Sequence, residues 1–226
     1  MNRKDTESLY QEARRFGIEL SLQHLNRFGL YIDELMEWNR RINLTGLYEP
    51  RRITRELLLD SLLTASLLPE DGRMLDVGSG AGFPGMVIKI YRPDLKVHLL
   101  EATSRKGTFL RHMVRLLGLK GIEVKKGRIE REGHDLPEEG YDIITARALA
   151  SLDRVMVWCT PFLAYNGLLV GFLGKDSDAI LKKCDPLKKA HSLELYKKVD
   201  YTLPGKDFTR TIVIFRKGLS PKGTCG

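Results

Sequence analysis

Cysteine is scarce in this chain: Cys159, Cys184 and Cys225 are all that occur in 226 residues. No two of them stand at a zinc-ligand spacing, and an odd number without a secretion signal argues against a disulfide framework. Cys159 reads as a small core residue and the other two as bystanders; no metal site is expected. No apolar run reaches the roughly 18 residues that a membrane-spanning helix needs. The start, Met1-Asn2-Arg3-Lys4-Asp5, turns polar and acidic at once, unlike a signal peptide. A cytoplasmic location is therefore expected, with no membrane partner. The five histidines stand apart from the motifs, and no Ser/His-type or Cys-based nucleophile system is evident. His98 and His112 read as surface or helix residues. Internal repeats and low-complexity segments are also lacking.

What is present is enough for a sizeable core, with 42% hydrophobic and 29% charged residues. The net charge is +8, and its placement is uneven: residues 1–70 balance at −1 and residues 71–226 at +9. A basic surface attracts polyanions and speeds their encounter, although charge alone is equally compatible with solubility.

The first 70 residues read as an N-terminal helical segment. Leu25, Phe28, Ile32 and Leu35 fall on one face of a 3.6-residue helix, and Ile53, Leu57 and Leu58 continue a similar pattern. Asn43-Leu44-Thr45-Gly46 is turn-like. From residue 71 to 217 strands alternate with helices. Strands are expected at Met74–Val77, Lys96–Leu100, Ile122–Lys125, Tyr141–Ala146 and Gly167–Leu173. Helices are expected at Arg105–Leu117, Leu152–Leu163 and near Ile180–Lys189. Two further strands, near Leu193–Tyr201 and Thr209–Phe215, lack an intervening helix and read as an antiparallel pair. Parallel neighbours need crossover helices, so an α/β, Rossmann-like, mostly parallel seven-stranded sheet is expected, a pattern that resembles class I methyltransferase folds. Residues 218–226 read as a flexible tail.

The central motif is Leu75-Asp76-Val77-Gly78-Ser79-Gly80-Ala81-Gly82-Phe83-Pro84-Gly85. Glycines at alternate positions after a strand permit positive φ and close approach of backbone amides to a ligand. Gly80, Gly82 and Gly85 also match the dinucleotide pattern G-x-G-x-x-G, so a nicotinamide cofactor is the chief competitor. Two features favour S-adenosylmethionine (AdoMet): the glycine series begins already at Gly78, and Asp76 sits at the strand end, where an acid suits a ligand carrying an ammonium. Glu101 closes the second strand, 25 positions after Asp76, and can accept hydrogen bonds from ribose hydroxyls of either cofactor.

These residues resemble the RsmG (GidB) family. The glycine loop does, and so do Trp38-Asn39-Arg40-Arg41-Ile42-Asn43-Leu44-Thr45, Leu59-Asp60-Ser61, Phe109-Leu110-Arg111 and Ala146-Arg147-Ala148-Leu149-Ala150-Ser151-Leu152, in family order over roughly residues 20 to 217. The resemblance implies an AdoMet-dependent methyltransferase acting on guanine N7 at one site of 16S ribosomal RNA, with the RNA or the small subunit as partner and no obligate protein partner. It implies further that Gly78 and Phe83 touch the cofactor. Glu101, Ala102 and Thr103 would lie around the ribose, Ile129 and Glu130 beside the adenine, and Arg147 along the site; Asp76 and Gly80 join them as loop residues. The chain departs from the family pattern at Leu57, Arg105-Lys106 and Leu173-Gly174-Lys175.

Arg147, just past the fourth strand, stands at the edge of a parallel sheet where ligands bind. It is the one candidate for a direct role in the reaction, contacting the AdoMet carboxylate or an RNA phosphate; the alternative is an ion pair with Asp142 or Asp153. Three basic clusters suggest a phosphate-contacting rim with salt-sensitive binding: Arg105, Lys106, Arg111 and Arg115; Lys125, Lys126, Arg128 and Arg131; and Lys182-Lys183 with Lys188-Lys189. Each cluster alone reads more readily as a solvated face, and only together do they suggest the rim. Trp38 reads as a core anchor rather than a base-stacking platform. Two other readings stay open: a methyltransferase for small molecules or proteins on the same fold, and a noncatalytic RNA-binding protein that keeps it.

Overall fold

The computed structural model describes residues 3–131 and 136–218. Past Gly218, the expected tail lies outside the described residues, as does Cys225. The chain begins with α1 (Arg3–Arg15) and α2 (Leu22–Asn39). A short α3 (Pro50–Ile53) then runs through a π-helical turn (Thr54–Leu59) into α4 (Asp60–Ser66). The start of α2 is a capping box, in which the Ser21 hydroxyl accepts from the His24 amide at 3.1 Å and His24 Nδ1 accepts from the Ser21 amide at 3.3 Å. The predicted face is the buried one, with Phe28, Ile32 and Leu35 fully enclosed. Asn39 organises the turn after α2. Its Oδ1 accepts from the Leu44 and Thr45 amides at 2.8 and 2.9 Å, and its Nδ2 donates to the Thr45 and Leu47 carbonyls.

Alternation follows: β1 (Arg73–Val77), α5 (Gly85–Tyr91), β2 (Lys96–Glu101), α6 (Ser104–Leu116), β3 (Ile122–Lys126), β4 (Tyr141–Ala146) and α7 (Leu152–Cys159). The chain then passes through β5 (Leu163–Leu173), α8 (Ser177–Lys183), α9 (Asp185–Ala190), β6 (Leu193–Tyr201) and β7 (Arg210–Lys217). The sheet order is β3-β2-β1-β4-β5-β7-β6. The first five strands pair in parallel, and β7 lies antiparallel to both its neighbours.

Alternate residues of β1 serve opposite layers. Met74 packs into a core shared with Leu9 of α1, Phe28 and Tyr31 of α2, Leu62 of α4 and Phe109 of α6. Leu75 and Val77 pack with Val155, Met156 and Cys159 of α7 and Leu181 of α8. Each fully buried large side chain in these layers contributes roughly 1.5–3 kcal/mol. The N-terminal helices are thus built into the same apolar layer as one face of the sheet. Trp38 joins α2 to α6, its ring 5.6 Å from Phe109 and 5.2 Å from His112. Cys159 is enclosed, and burial pushes its thiol up to about 12.

Two helix boundaries differ from expectation, and β5 begins at Leu163 rather than at Gly167. The helix expected to run to Leu163 ends at Cys159. Pro161 lies in a 3-10 turn over Thr160–Phe162, and β5 starts directly after it. The single helix expected near Ile180–Lys189 is two helices. Pro186 sits in the first turn of the second, where its missing N–H is harmless but a continuous helix would need it.

Candidate functional site

The glycine loop leaves β1 at the sheet's topological switch point, between β2 and β4. Two interactions hold its shape from within. The Tyr31 hydroxyl, supplied by α2, donates to the Ala81 carbonyl; burial, with a contribution from Asp76, raises the Tyr31 pKa well above its ordinary value and keeps that donor protonated. Asp76 is the second brace. Its Oδ1 accepts from the Thr145 hydroxyl at 2.7 Å and its Oδ2 from the Gly85 amide at 3.2 Å. At 1% exposure the carboxyl is closed off on both sides. The expectation that Asp76 faces a ligand's ammonium is therefore replaced by a different part: it fastens the far end of the loop to β1 and β4.

Burial pushes Asp76 up to about 6 from 3.8, against the opposing hydrogen bonds from Thr145 and the Gly85 amide and the charge of Arg147. Because the folded-state value is the higher one, the native state holds the proton more tightly, and the contribution to stability grows as pH falls from about 6 toward 3.8. An Asp76→Asn variant can keep both bonds, with the amide oxygen accepting from Gly85 and the amide nitrogen donating to the Thr145 hydroxyl. Thermal melts across pH should show its advantage over the parent largest near pH 7, up to about 3 kcal/mol, and gone near pH 4. A constant difference at all pH values would contradict a raised Asp76.

Beyond the loop lies a cleft of about 270 Å³ lined by Gly78, Glu101, Ala102, Ile129, Glu130 and Leu149, among others. Glu101 forms one wall. Its Oε2 accepts from the Gly80 amide at 2.9 Å and its Oε1 from the Thr103 amide at 2.8 Å. Each oxygen keeps a second acceptor position in a carboxylate whose orientation is now fixed. Ile129, Leu100 and Trp158 give the cleft apolar walls. Gly78 has φ +72, and a Cβ there would come within 2.8 Å of Leu149, so the loop leaves no room for a side chain at this wall.

Of the residues expected here, Gly78, Glu101, Ala102, Ile129 and Glu130 meet in the cleft. Gly80 and Thr103 join through their amides on Glu101. The Phe83 ring does not line it: it is 7% exposed and stacked on Tyr31 at 5.3 Å, so only its backbone is available on the loop. Arg147 is also held outside the cleft lining. It forms an ion pair, but with Asp60 of α4 at 3.0 Å rather than with Asp142 or Asp153. Asp142 is engaged instead at the opposite edge of the sheet, where it accepts from the Arg73 amide.

Sequence reasoning missed Tyr31, Leu149, Trp158 and Asp60. For Asp60 a signal existed. A lone acid inside Leu57-Leu58-Leu59-Asp60-Ser61-Leu62-Leu63 has to be buried, and a buried charge needs a partner.

Ala148, with φ +52, lines the cleft and also a larger hollow of about 660 Å³ between α7 and α8, walled by Leu152, Val155, Phe172 and Ile180 with Lys183 at its side. In the basic clusters Arg105, Arg111, Arg115, Lys126, Arg128 and Arg131 are exposed. Arg128 lines the cleft directly. Lys125 and Lys188 are tied to Glu123 and Asp185 at 2.9 and 2.6 Å. His112 is on α6 as expected, its Nε2 2.8 Å from the Glu34 carboxylate. His98 lies in β2 with Nδ1 2.7 Å from the Tyr141 hydroxyl. Among the described residues no helix is long and apolar enough to cross a membrane.

Comparison with known proteins bears on this geometry. Among solved structures the chain is similar to M. jannaschii TYW2 in complex with AdoMet, with a TM-score of 0.58 at 11% identity over 71% of this chain and 75% of that one. The fold is that of the class I methyltransferases. Among sequences it is 35% identical to the ribosomal RNA small subunit methyltransferase G of a Roseiflexus species, over 92% of this chain and 90% of that protein. It is 36% identical to the protein of the same name from Syntrophotalea carbinolica, over 92% and 96%. The family model described as GidB, rRNA small subunit methyltransferase G, matches residues 24–203; the chain belongs to the GidB family.

Proposed function

We propose that this chain transfers the methyl group of AdoMet to N7 of one guanine in 16S ribosomal RNA. The family match over residues 24–203 carries the choice of small-subunit ribosomal RNA. The donor set of the cleft supports the cofactor: a fixed carboxylate for ribose hydroxyls, apolar walls for a purine, and a glycine loop that admits a ligand against its backbone. A dinucleotide would instead need its pyrophosphate at the start of α5. There the first-turn Gly85 amide is already taken by Asp76.

In this reading Glu101 holds the ribose, with Ala102 and Thr103 beside it. Ile129 and Glu130 flank the adenine, Gly78, Gly80 and the Phe83 backbone shape the loop, and Arg147 meets the methionine carboxylate from the end of β4. The bound cofactor supplies an electrophilic methyl on a sulfonium. Guanine N7 has an in-plane lone pair and no proton. Attack by that lone pair would therefore need no general base, cleavage of the S–C bond balancing formation of the N7–C bond and the positive charge ending on the purine. The chain's task is to align N7, methyl and sulfur and to keep water out, since alignment of reactants can recover several kcal/mol of barrier. The basic residues beside the cleft, Arg128 among them, would meet RNA phosphates.

Incubation with methyl-labelled AdoMet and a panel of ribosomal RNA, small subunits, protein and small-molecule acceptors tests this reading. Label is expected in the small-subunit RNA as one N7-methylguanine located by mass spectrometry. Label confined to protein or small acceptors, or none in any, would overturn it.

A further inference from the structure

Two sequence blocks without an assigned partnership, Leu59-Asp60-Ser61 and Ala146-Arg147-Ala148, meet in a charged node at the C-terminal end of β4. Asp60, the first residue of α4, has a side chain only 2% exposed. Its Oδ1 accepts from the Tyr201 hydroxyl of β6 and from Arg210 Nη1 of β7, the latter at 3.2 Å. Its Oδ2 lies 3.0 Å from Arg147 Nη2. The same Nη2 donates to the Glu56 carbonyl at 2.8 Å, and that carbonyl also accepts from Arg210 Nη1 at 3.2 Å. Glu56 stands in the π-helical turn just before Asp60. Such turns are wider than α-helical ones and recur at functional sites.

This node is a costly way to dock a helix on a sheet. A buried carboxylate loses several kcal/mol of hydration and recovers it only through well-placed donors, whereas apolar side chains of similar volume do the same job without that penalty. The apolar layer around Leu58, Leu59 and Leu62 already docks the segment. An acid adds something leucine cannot: it fixes the plane of a guanidinium. Both polar contacts of Arg147 fall on Nη2, while the Phe172 ring lies with its centroid 6.0 Å from Cζ. The guanidinium is thus gripped at one corner, and among the described residues Nη1 and Nε carry no hydrogen bond. Its side chain keeps 16% exposure at the sheet edge where ligands bind. Burial, then the neighbouring Asp60 carboxylate, raises the Tyr201 pKa, so the hydroxyl stays a donor to Asp60 throughout the working range.

We propose that Asp60 is a positioning residue of the transfer reaction: acting through Arg147, it aims the guanidinium's open edge at the carboxylate of the donor's methionine moiety. This rests on the reading of Arg147 as a cofactor contact given above. The N-terminal helical segment is on this account part of the cofactor site, although it touches no cofactor itself.

A double-mutant cycle on the full chain tests it, reading S-adenosylhomocysteine affinity by calorimetry and the KM for AdoMet with small-subunit RNA as acceptor. Arg147→Ala should weaken binding about tenfold, as loss of a charge-assisted hydrogen bond does. Asp60→Asn should weaken it several-fold, and the double variant no more than Arg147→Ala alone, because both act on one contact. KM for AdoMet should rise with kcat retained at saturation; a merely structural role would lower the active fraction and leave KM in place. Tyr201→Phe keeps all charges, should give a smaller loss with the same non-additivity, and carries the cycle should Asp60→Asn fail to fold. Additive losses would overturn the role of Asp60 while leaving Arg147 its own. Unchanged affinity in Arg147→Ala would overturn the reading of Arg147 and the proposal with it.

Discussion

Glu101→Ala is expected to weaken S-adenosylhomocysteine binding by about two orders of magnitude while the protein stays folded. The carboxylate is fixed in the cleft wall by the chain itself, through the Gly80 and Thr103 amides at 2.9 and 2.8 Å. A hydrogen bond to an ionised acceptor is worth roughly 1.5–3 kcal/mol, so two ribose hydroxyls on one carboxylate account for about 3 kcal/mol, or a hundredfold. Truncation also leaves the two amides without their partner, which should cost about 1–2 kcal/mol of stability, moderated by water entering the cleft. Calorimetric titration with S-adenosylhomocysteine, paired with a thermal melt, separates the two effects. Affinity within threefold of the parent would remove Glu101 from the cofactor site.

Gly82→Ala is expected to be the more damaging change for folding, lowering Tm by roughly 10 °C. Two costs coincide at this position. The backbone has φ +95, which an L side chain adopts only at about 1–2 kcal/mol. A Cβ would also be driven into the Tyr31 hydroxyl and pressed against Met86 Cβ at 3.0 Å and Leu110 Cδ2 at 3.2 Å. The Tyr31 hydroxyl cannot yield without releasing the Ala81 carbonyl that it holds. Overpacking of this kind costs about 1–3 kcal/mol, giving about 3–4 kcal/mol in all and 2–4 °C for each at this chain length. Gly118→Ala is the control. It too has positive φ, +59, but no heavy atom lies within 4 Å of its Cβ. It should show the backbone cost alone, a few degrees. Equal losses in the two variants would mean that the loop's contact with α2 contributes nothing.

Local pattern carried most of the fold. Period-two and period-3.6 runs mark the strands and helices from β1 to β7, and the glycine run marks the loop, because both are imposed by geometry within a few residues. The differences at the site share one cause, which is that local sequence does not name the long-range partner of a side chain. The ion pair weighed for Arg147 as the alternative to a site role named Asp142 or Asp153, acids nearby in sequence, yet its ion-pair partner is Asp60, brought in from the helical segment. Phe83 stands in the motif as a ligand contact, but a ring after a glycine can turn either way, and the presence of Tyr31 across the gap decides that it turns inward. Asp76 was placed at the right strand end and given the wrong direction, since only the adjacency of Thr145 and Gly85 closes it off. Two prolines, Pro161 and Pro186, are visible in the sequence as helix breakers and account for both displaced helix boundaries.

The place of β7 in the sheet has a consequence for how the chain is made. This strand is made after both β5 and β6, yet it pairs between them rather than at an edge. Arg210, at its start, and Tyr201, at the end of β6, supply donors to an acid that emerged about 140 to 150 residues earlier. Until they arrive, the nascent protein holds β5 and β6 unbridged and the carboxylate of Asp60 short of partners. Translation must therefore run through the Thr211–Lys217 stretch before the enzyme can close, and a chain stopped short of it would present two open sheet edges to its neighbours.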